Sequence, residues 1–173
     1  RLALLSCQEV WFDSNASSKN RFKFFFKKLN KYILSFNLRN IEHKNNGFRK
    51  NVPNFIYWGR ISKDKGLYRA IEIFEGILNY FPKATFKIIG SHQFDYEEIN
   101  QHCVDRKLTN SVYFYDEMEF EDIEKLAEDS SFYLQTSKFE GFAMSVVESM
   151  MMGLVPVVTP VGEIGRYCNS KNS

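Results

Sequence analysis

Cysteine and histidine are scarce in this sequence, with three of each among 173 residues. Cys7, Cys103 and Cys168 stand far apart and are odd in number, which favours free thiols in a reducing compartment over a disulfide framework. No histidine has a metal-ligand spacing to a cysteine, and the chain contains no Asp-x-Asp motif. We therefore expect a cytoplasmic protein that binds no metal and no cofactor.

Long apolar runs and a strong net charge are also missing. No uninterrupted hydrophobic segment approaches the length of a membrane-spanning helix, and no signal-peptide pattern is present. A formal net charge of +2 is too small to indicate nucleic-acid binding without a clustered basic field. Because the first residue is not Met, we expect the chain to be a fragment of a longer protein.

Positive charge is concentrated between Lys19 and Lys31, where basic residues are interleaved with phenylalanines. A helix of this composition suits peripheral contact with a membrane surface. A helix that packs on a neighbouring domain and keeps its lysines in solvent explains the same pattern, and we favour that interpretation.

From Asn54 onward, short apolar runs alternate with segments whose apolar residues recur every three or four positions. The runs predict strands, and the recurring pattern predicts helices. The predicted strands are Phe55 to Trp58, Thr85 to Ile89, Val112 to Tyr115, Phe132 to Leu134 and Leu154 to Val158, after an earlier candidate at Lys31 to Phe36. The predicted helices lie between Leu67 and Phe81, Tyr96 and Cys103, Phe120 and Ala127, and Phe142 and Met152. This alternation predicts an α/β fold with a doubly wound, Rossmann-like parallel sheet.

Glycines and charged residues collect at the carboxyl ends of these strands, where doubly wound sheets bind their ligands. They are Gly59, Arg60, Gly90, Glu140 and Gly162, with Lys65 and Gly66 shortly after the first of these ends. Arg60 can hold phosphate oxygens with its planar guanidinium, while Lys65 supplies a compact point charge. Taken alone, the two cations would be solvated loop charges and Gly90 a turn residue. Their order and position at strand ends favour a diphosphate site.

A helix that starts near Gly141 adds a second phosphate-binding element. Its first turn presents the backbone N–H groups of Phe142, Ala143 and Met144, and the helix dipole favours an anion there. Gly141 itself lets a ligand approach the backbone closely.

Glu140 and Glu148 raise the alternative of a glycoside hydrolase with paired carboxylates. Eight residues of continuous helix rise about 12 Å. Hydrolases need their carboxyl groups roughly 5–5.5 Å apart when retaining and roughly 6.5–9.5 Å apart when inverting. We therefore interpret the two glutamates as anchors for the two ends of one extended ligand, a sugar and a ribose.

These residues resemble the donor-binding domain of the retaining glycosyltransferases of family 4, also called group 1, which have the GT-B fold. The resemblance covers residues 54 to 168. It implies that Arg60 and Lys65 hold the diphosphate, that Glu140 acts near the donor sugar, and that these three residues are catalytic. Glu148 would bind the ribose, and the loop from Tyr115 to Met118 would contact the base. The implied donor-binding residues are Gly59, Arg60, Lys65, Gly90, Gly141, Phe142, Ala143, Met144, Glu148 and Gly162.

The resemblance also implies a reaction and a domain arrangement. A glycosyl unit would pass from a nucleoside diphosphate sugar, with retention, to a glycan or lipid-linked acceptor, as in polysaccharide or glycolipid synthesis. Residues 1–52 would be a remnant of the N-terminal acceptor domain with its linker. Residues 53–173 would be the donor-binding domain, the C-terminal half of the GT-B fold, truncated at its end. The sequence does not distinguish UDP, GDP and ADP sugars as the donor.

The sequence departs from the family pattern at two places. The family often has a second glycine where this chain has Ala143, and its usual Gly-Gly followed by Pro-Glu reads here as Gly162-Glu163-Ile164-Gly165-Arg166. The alternative function is a degenerate, non-catalytic transferase domain that serves binding or association. A dinucleotide-binding oxidoreductase is disfavoured, because no Gly-x-Gly-x-x-Gly follows the first strand of the regular pattern.

Overall fold

The computed structural model describes residues 9–12, 30–33, 52–92 and 95–168. Its first two strands, β1 (Glu9–Phe12) and β2 (Asn30–Ile33), pair in parallel and form a small sheet of their own. β2 overlaps the strand predicted at Lys31 to Phe36, whereas β1 has no counterpart among the predicted strands. In the basic segment, residues 19–29 lie outside the described residues, so the helix predicted there stays a prediction.

A second sheet contains five parallel strands in the order β5-β4-β3-β6-β7. These strands are β3 (Phe55–Trp58), β4 (Phe86–Ile89), β5 (Val112–Tyr115), β6 (Phe132–Gln135) and β7 (Val155–Val158). The helices are α1 (Leu67–Leu78), α2 (Tyr96–Asp105), α3 (Phe120–Ala127), α4 (Met144–Met151) and α5 (Ile164–Tyr167). The predicted doubly wound α/β fold is confirmed, and the two elements of this region that were not predicted are α5 and a short 3-10 helix at Lys63–Lys65.

Burial explains why the periodic patterns identify these elements. β3 is the central strand, and all four of its residues are buried, as its unbroken apolar and aromatic sequence requires. α1 buries Leu67, Ala70, Ile71 and Phe74, which recur at three and four positions along one face. Among the described residues, no helix combines the length and the apolar character that crossing a bilayer demands.

α1 ends at Leu78, three residues before the predicted end at Phe81. Phe81 is 44% exposed, so its apolar side chain does not extend the buried face of the helix. Its N–H bonds back to Ile77 O at 2.9 Å, and Pro82 follows, which has no N–H to continue a helix.

The order of the strands creates a crevice beside β3. From β3 the chain moves outward to β4 and β5, then crosses to the other side of β3 for β6 and β7. The ladder between β3 and β6 pairs Phe55 with Phe132 and Ile56 with Tyr133 and then stops, although both strands continue for two more residues. The two strands therefore separate at their carboxyl ends, at the point where doubly wound folds bind ligands.

Two glycines keep the ends of β3 and β4 close together. Gly59 N–H donates to Ile89 O at 3.0 Å, and a Cβ added to Gly90 would lie 2.0 Å from Gly59 O. Gly59 has a φ of 146°, which favours glycine. Gly90 is thus required for packing between the strand ends, a stronger role than that of a simple turn residue.

Gly90→Ala should destabilise the fold, because the added methyl group would overlap the carbonyl oxygen of Gly59. We expect the free energy of unfolding, measured in urea, to fall by about 1–3 kcal/mol. Gly76→Ala is the matched control, since Gly76 lies on the exposed face of α1 with no atom within 4 Å of the added Cβ. It should raise the free energy of unfolding by roughly 0.5–1 kcal/mol. Equal effects from the two variants would contradict this packing account.

Candidate functional site

An ion pair joins the two sides of the crevice. Lys65 ends the short 3-10 helix Lys63–Lys65 that follows β3, and Glu140 lies in the loop after β6. Lys65 Nζ lies 2.7 Å from Glu140 Oε1, and the two side chains are only 17% and 8% exposed. These residues are 75 positions apart in the sequence. They meet because the strand order places β3 beside β6.

Backbone contacts hold the two loops against each other. Gly66 has a φ of 73°, and a Cβ there would lie 1.9 Å from Thr136 O. Thr136 Oγ1 donates to Gly66 O at 2.7 Å, and Lys138 N–H donates to Asp64 O at 2.8 Å. The Lys65-Gly66 dipeptide thus combines a charged group with the one residue type that allows this close approach.

Glu140 Oε1 accepts two further hydrogen bonds. Gln135 Nε2 donates to it at 2.6 Å, and Ser137 Oγ donates at 2.7 Å. Both donors are buried, Gln135 at the end of β6 and Ser137 two residues later. Neither residue was among the predicted site residues, although Gln135 is a polar side chain directly after the apolar run Phe132 to Leu134.

Glu148 lies in α4 and is buried, with 8% of its surface exposed. Trp58 Nε1–H, at the end of β3, donates to Glu148 Oε2 at 3.1 Å. Because Glu140 lies in a loop ahead of α4, no continuous helix separates the two glutamates. The rise of about 12 Å between them assumed such a helix, and that assumption was wrong. The hydrogen bonds of Glu140 and Glu148 nevertheless go to different partners, Lys65 for the first and Trp58 for the second.

A cleft runs along the carboxyl ends of the strands to Glu148. Its first part, of about 230 Å³, is lined by Trp58, Gly59, Arg60, Gly90, Ser91 and Met118, among others. An adjoining part of about 390 Å³ shares Trp58 and Met118 and reaches Glu148. The strand-end glycines and the arginine thus line the first cavity, and the second glutamate lines the neighbouring one.

Arg60 lies on the rim of this cleft and is more exposed than Lys65. Its Nη2 lies 3.4 Å from Asp64 Oδ2, and 57% of its side chain is exposed. Tyr57 Oη donates to Arg60 O at 2.9 Å, and burial raises the pKa of Tyr57, so the hydroxyl keeps its proton. This contact anchors the backbone of Arg60 and leaves its guanidinium able to turn toward a ligand.

α4 begins at Met144, two residues later than predicted, which corrects the proposed set of helix amides. Phe142 and Ala143 precede the helix, and Met144 is in its first turn. Ala143 has a φ of 58°, a left-handed conformation that costs a non-glycine residue roughly 1–2 kcal/mol. The glycine that the family often has at this position would adopt the same conformation without that strain.

The loop after β7 supports the loop that carries Glu140. Gly162 has a φ of 63°, and a Cβ there would lie 2.3 Å from Glu140 O. Glu163 N–H donates to Gly141 O at 3.0 Å, and the Glu163 carboxylate pairs with Arg166 at 2.8 Å. Gly162 therefore contacts the backbone of the Glu140 loop, and a direct contact between Gly162 and a donor stays a prediction.

Comparison with known proteins agrees with this fold and this arrangement of strand-end residues. The family model for glycosyl transferases group 1 matches residues 39–172. The chain therefore belongs to the group 1 glycosyltransferases. Its solved structural neighbours are glycosyltransferases of the GT-B fold.

Three relatives illustrate the range of the match. A GDP-mannose:cellobiosyl-diphosphopolyprenol alpha-mannosyltransferase from Xanthomonas oryzae pv. oryzae is 27% identical over 116 residues, which are 66% of this chain and 30% of that protein. A poly(glycerol-phosphate) alpha-glucosyltransferase from Bacillus subtilis is 33% identical over 113 residues, 63% of this chain and 16% of that protein. The crystal structure of Anabaena HepE in complex with UDP-glucose has a TM-score of 0.60 and 25% identity, over 69% of this chain and 33% of that one. The chain spans about a third or less of the length of these proteins.

Lys65→Met should destabilise the fold, because it removes the cation beside a largely buried carboxylate while it keeps most of the side-chain length. We expect the free energy of unfolding in urea to fall by about 1–3 kcal/mol. Arg60→Met is the control, since its pair with Asp64 is exposed, and it should change the free energy of unfolding by less than about 0.5 kcal/mol. A Lys65→Met variant as stable as Arg60→Met would speak against a buried ion pair.

Proposed function

We propose that the protein is a retaining glycosyltransferase of family 4 that transfers a hexose from a nucleoside diphosphate sugar to an acceptor hydroxyl. In this proposal residues 53–173 belong to the donor-binding, C-terminal half of a GT-B enzyme. The observation that carries the proposal is the Lys65–Glu140 pair, which brings a cation and a carboxylate together at the switch point of the sheet. Membership of the group 1 family supports a transferase.

Positive charge beside the crevice suits a departing diphosphate. Lys65 and Arg60 lie on the segment after β3, and Arg60 lines the cleft. When the bond between the anomeric carbon and the phosphate oxygen breaks, negative charge grows on the diphosphate, and fixed cations would stabilise it. The amide of Met144 in the first turn of α4 would add a backbone donor. With these groups we propose a reaction that needs no metal.

The sugar and the ribose would occupy opposite ends of the donor site. Glu140 Oε1 accepts three hydrogen bonds, whereas none of the described residues donates to Oε2. Oε2 is therefore the oxygen that would contact a sugar hydroxyl and shield positive charge at the anomeric carbon. In a front-face reaction the leaving diphosphate takes the acceptor proton, so Glu140 orients the sugar and does not attack it. Glu148, held by Trp58, would bind the ribose hydroxyls.

The relatives suggest the kind of substrates but not their identity. The Xanthomonas enzyme is named for GDP-mannose and a polyprenol-linked acceptor, and HepE was crystallised with UDP-glucose. We propose a nucleoside diphosphate hexose as the donor and a glycan or lipid-linked glycan as the acceptor, bound by an N-terminal domain to which residues 1–52 contribute. The proposed compartment is the cytoplasm, where a lipid-linked acceptor would bring the enzyme to the membrane surface.

Glu140→Gln in the full-length protein should lower the turnover number for sugar transfer by about 100-fold or more, since a neutral amide shields developing positive charge poorly. Affinity for UDP or GDP, measured by calorimetry, should not fall by more than about threefold, because in this proposal the nucleotide does not contact Glu140 and the neutral amide leaves Lys65 available for phosphate. Glu121→Gln, exposed on α3, is the matched control and should transfer sugar at the wild-type rate. Full turnover by Glu140→Gln with unchanged donor affinity would remove Glu140 from the reaction.

Lys65→Ala and Arg60→Ala should each weaken the binding of UDP or GDP by roughly tenfold, because each removes a charge-assisted hydrogen bond to phosphate. Titration calorimetry on the full-length protein measures this directly. Wild-type protein that binds a nucleoside diphosphate through these residues, yet transfers no sugar from any donor of a UDP, GDP and ADP sugar panel, would favour the non-catalytic binding module.

A further inference from the structure

A buried set of polar side chains lies next to Glu140. It consists of Tyr133 and Gln135 on β6 and Ser145 on α4. Tyr133 is fully buried, and Gln135 is 2% exposed. Tyr133 Oη lies 2.6 Å from Gln135 Oε1 and 2.9 Å from Ser145 Oγ, and Ser145 Oγ lies 3.2 Å from Gln135 Oε1. Two hydroxyl groups therefore converge on the carbonyl end of the Gln135 amide.

The two ends of the Gln135 amide have different partners, which fixes its orientation. A carboxylate only accepts hydrogen bonds, so the amide atom 2.6 Å from Glu140 Oε1 must be the NH₂ nitrogen. The amide oxygen then accepts from Tyr133, and burial raises the pKa of Tyr133, so its hydroxyl keeps the proton. Ser137 Oγ accepts from Gln135 Nε2 at 3.0 Å and donates to Glu140 Oε1 at 2.7 Å. The hydrogen bonds run in one direction, from Tyr133 through Gln135 to Glu140.

A role in packing alone does not account for a glutamine at this position. Burying an amide is unfavourable unless both of its ends are hydrogen-bonded, and an apolar side chain would fill the same space without that requirement. What Gln135 adds is a fixed donor to Oε1 of Glu140.

We propose that Gln135 is a positioning residue for the contact between Glu140 and the donor sugar, and that Tyr133 and Ser145 act through it. Gln135, Lys65 and Ser137 together occupy Oε1, so Oε2 is the oxygen that is left for the ligand. The ligand group concerned is the hexose of a nucleoside diphosphate sugar, not the nucleotide. This inference rests on the proposed function and gives Gln135, Tyr133 and Ser145, which we do not place in contact with the substrate, a part in selecting the sugar-binding oxygen.

The test compares a nucleoside diphosphate with its nucleotide sugar on the full-length protein by titration calorimetry, using UDP with UDP-glucose and GDP with GDP-mannose. The ratio of the two dissociation constants isolates the contribution of the sugar. Gln135→Met keeps the side-chain length but removes both polar ends. It should weaken the binding of the nucleotide sugar about tenfold relative to that of the diphosphate. The affinity for the diphosphate alone should stay within about twofold of wild type.

Tyr133→Phe and Ser145→Ala remove the hydroxyls that orient the amide without touching Glu140. Each should shift the ratio in the same direction by about three- to fivefold. Ser130→Ala is the matched control for loss of a buried hydroxyl. Ser130 lies just before the opposite end of β6, and its Oγ has no hydrogen-bond partner among the described residues. Its ratio should equal that of wild type.

An unchanged ratio in Gln135→Met would overturn this inference. If that variant unfolds, as its melting temperature would reveal, Tyr133→Phe decides in its place, because a wild-type ratio in that variant overturns the inference as well. Wild-type protein that binds neither ligand pair, nor any donor of a UDP, GDP and ADP sugar panel, overturns the proposed function itself. If the protein binds the diphosphate and the sugar contributes equally to binding in Gln135→Met and in wild type, only the positioning role of Gln135 is overturned.

Discussion

The buried ion pair between Lys65 and Glu140 is the interaction on which the rest of the site depends. Two charges with so little exposure destabilise a protein unless they are paired closely and their remaining hydrogen-bonding groups are satisfied. The fold meets both conditions with the contact of Gly66 against Thr136, which sets the distance between the loops, and with the buried donors around Glu140 Oε1. The separation of β3 and β6 at their ends provides the space for this arrangement.

In the proposed reaction the two sides of the crevice would have different tasks, which are binding of the diphosphate by Lys65 and contact with the sugar by Glu140. A diphosphate that binds Lys65 would share or replace the contact of this lysine with Glu140. Gln135 and Ser137 would still hold Oε1 of the carboxylate, so Glu140 would keep its place while the lysine turned to phosphate. In the proposed reaction the segment after β3 would provide charge that can respond to the ligand, and the loop after β6 would provide a carboxylate that does not move with it. Such preorganisation is what stabilisation of a developing charge requires.

The sequence predicts the elements of this fold well because their signals are local. The apolar runs and the spacing of three and four in α1 depend only on neighbouring residues, and Lys65 and Glu140 were selected by their order, spacing and strand-end position together. The hydrogen bond from Trp58 to Glu148 joins residues 90 positions apart, and no local pattern indicates it. The late start of α4 follows from the left-handed backbone of Ala143, a residue type that rarely adopts this conformation. The orientation of a buried amide likewise depends on contacts from several elements.

A crystal structure of the full-length protein with its nucleoside diphosphate sugar would test the central claim most directly. We predict a phosphate oxygen within hydrogen-bonding distance of Lys65 Nζ and a hexose hydroxyl on Glu140 Oε2, with Gln135 Nε2 still bonded to Oε1. A donor bound away from both charged residues, or a Glu140 carboxylate turned away from the sugar, would contradict this account.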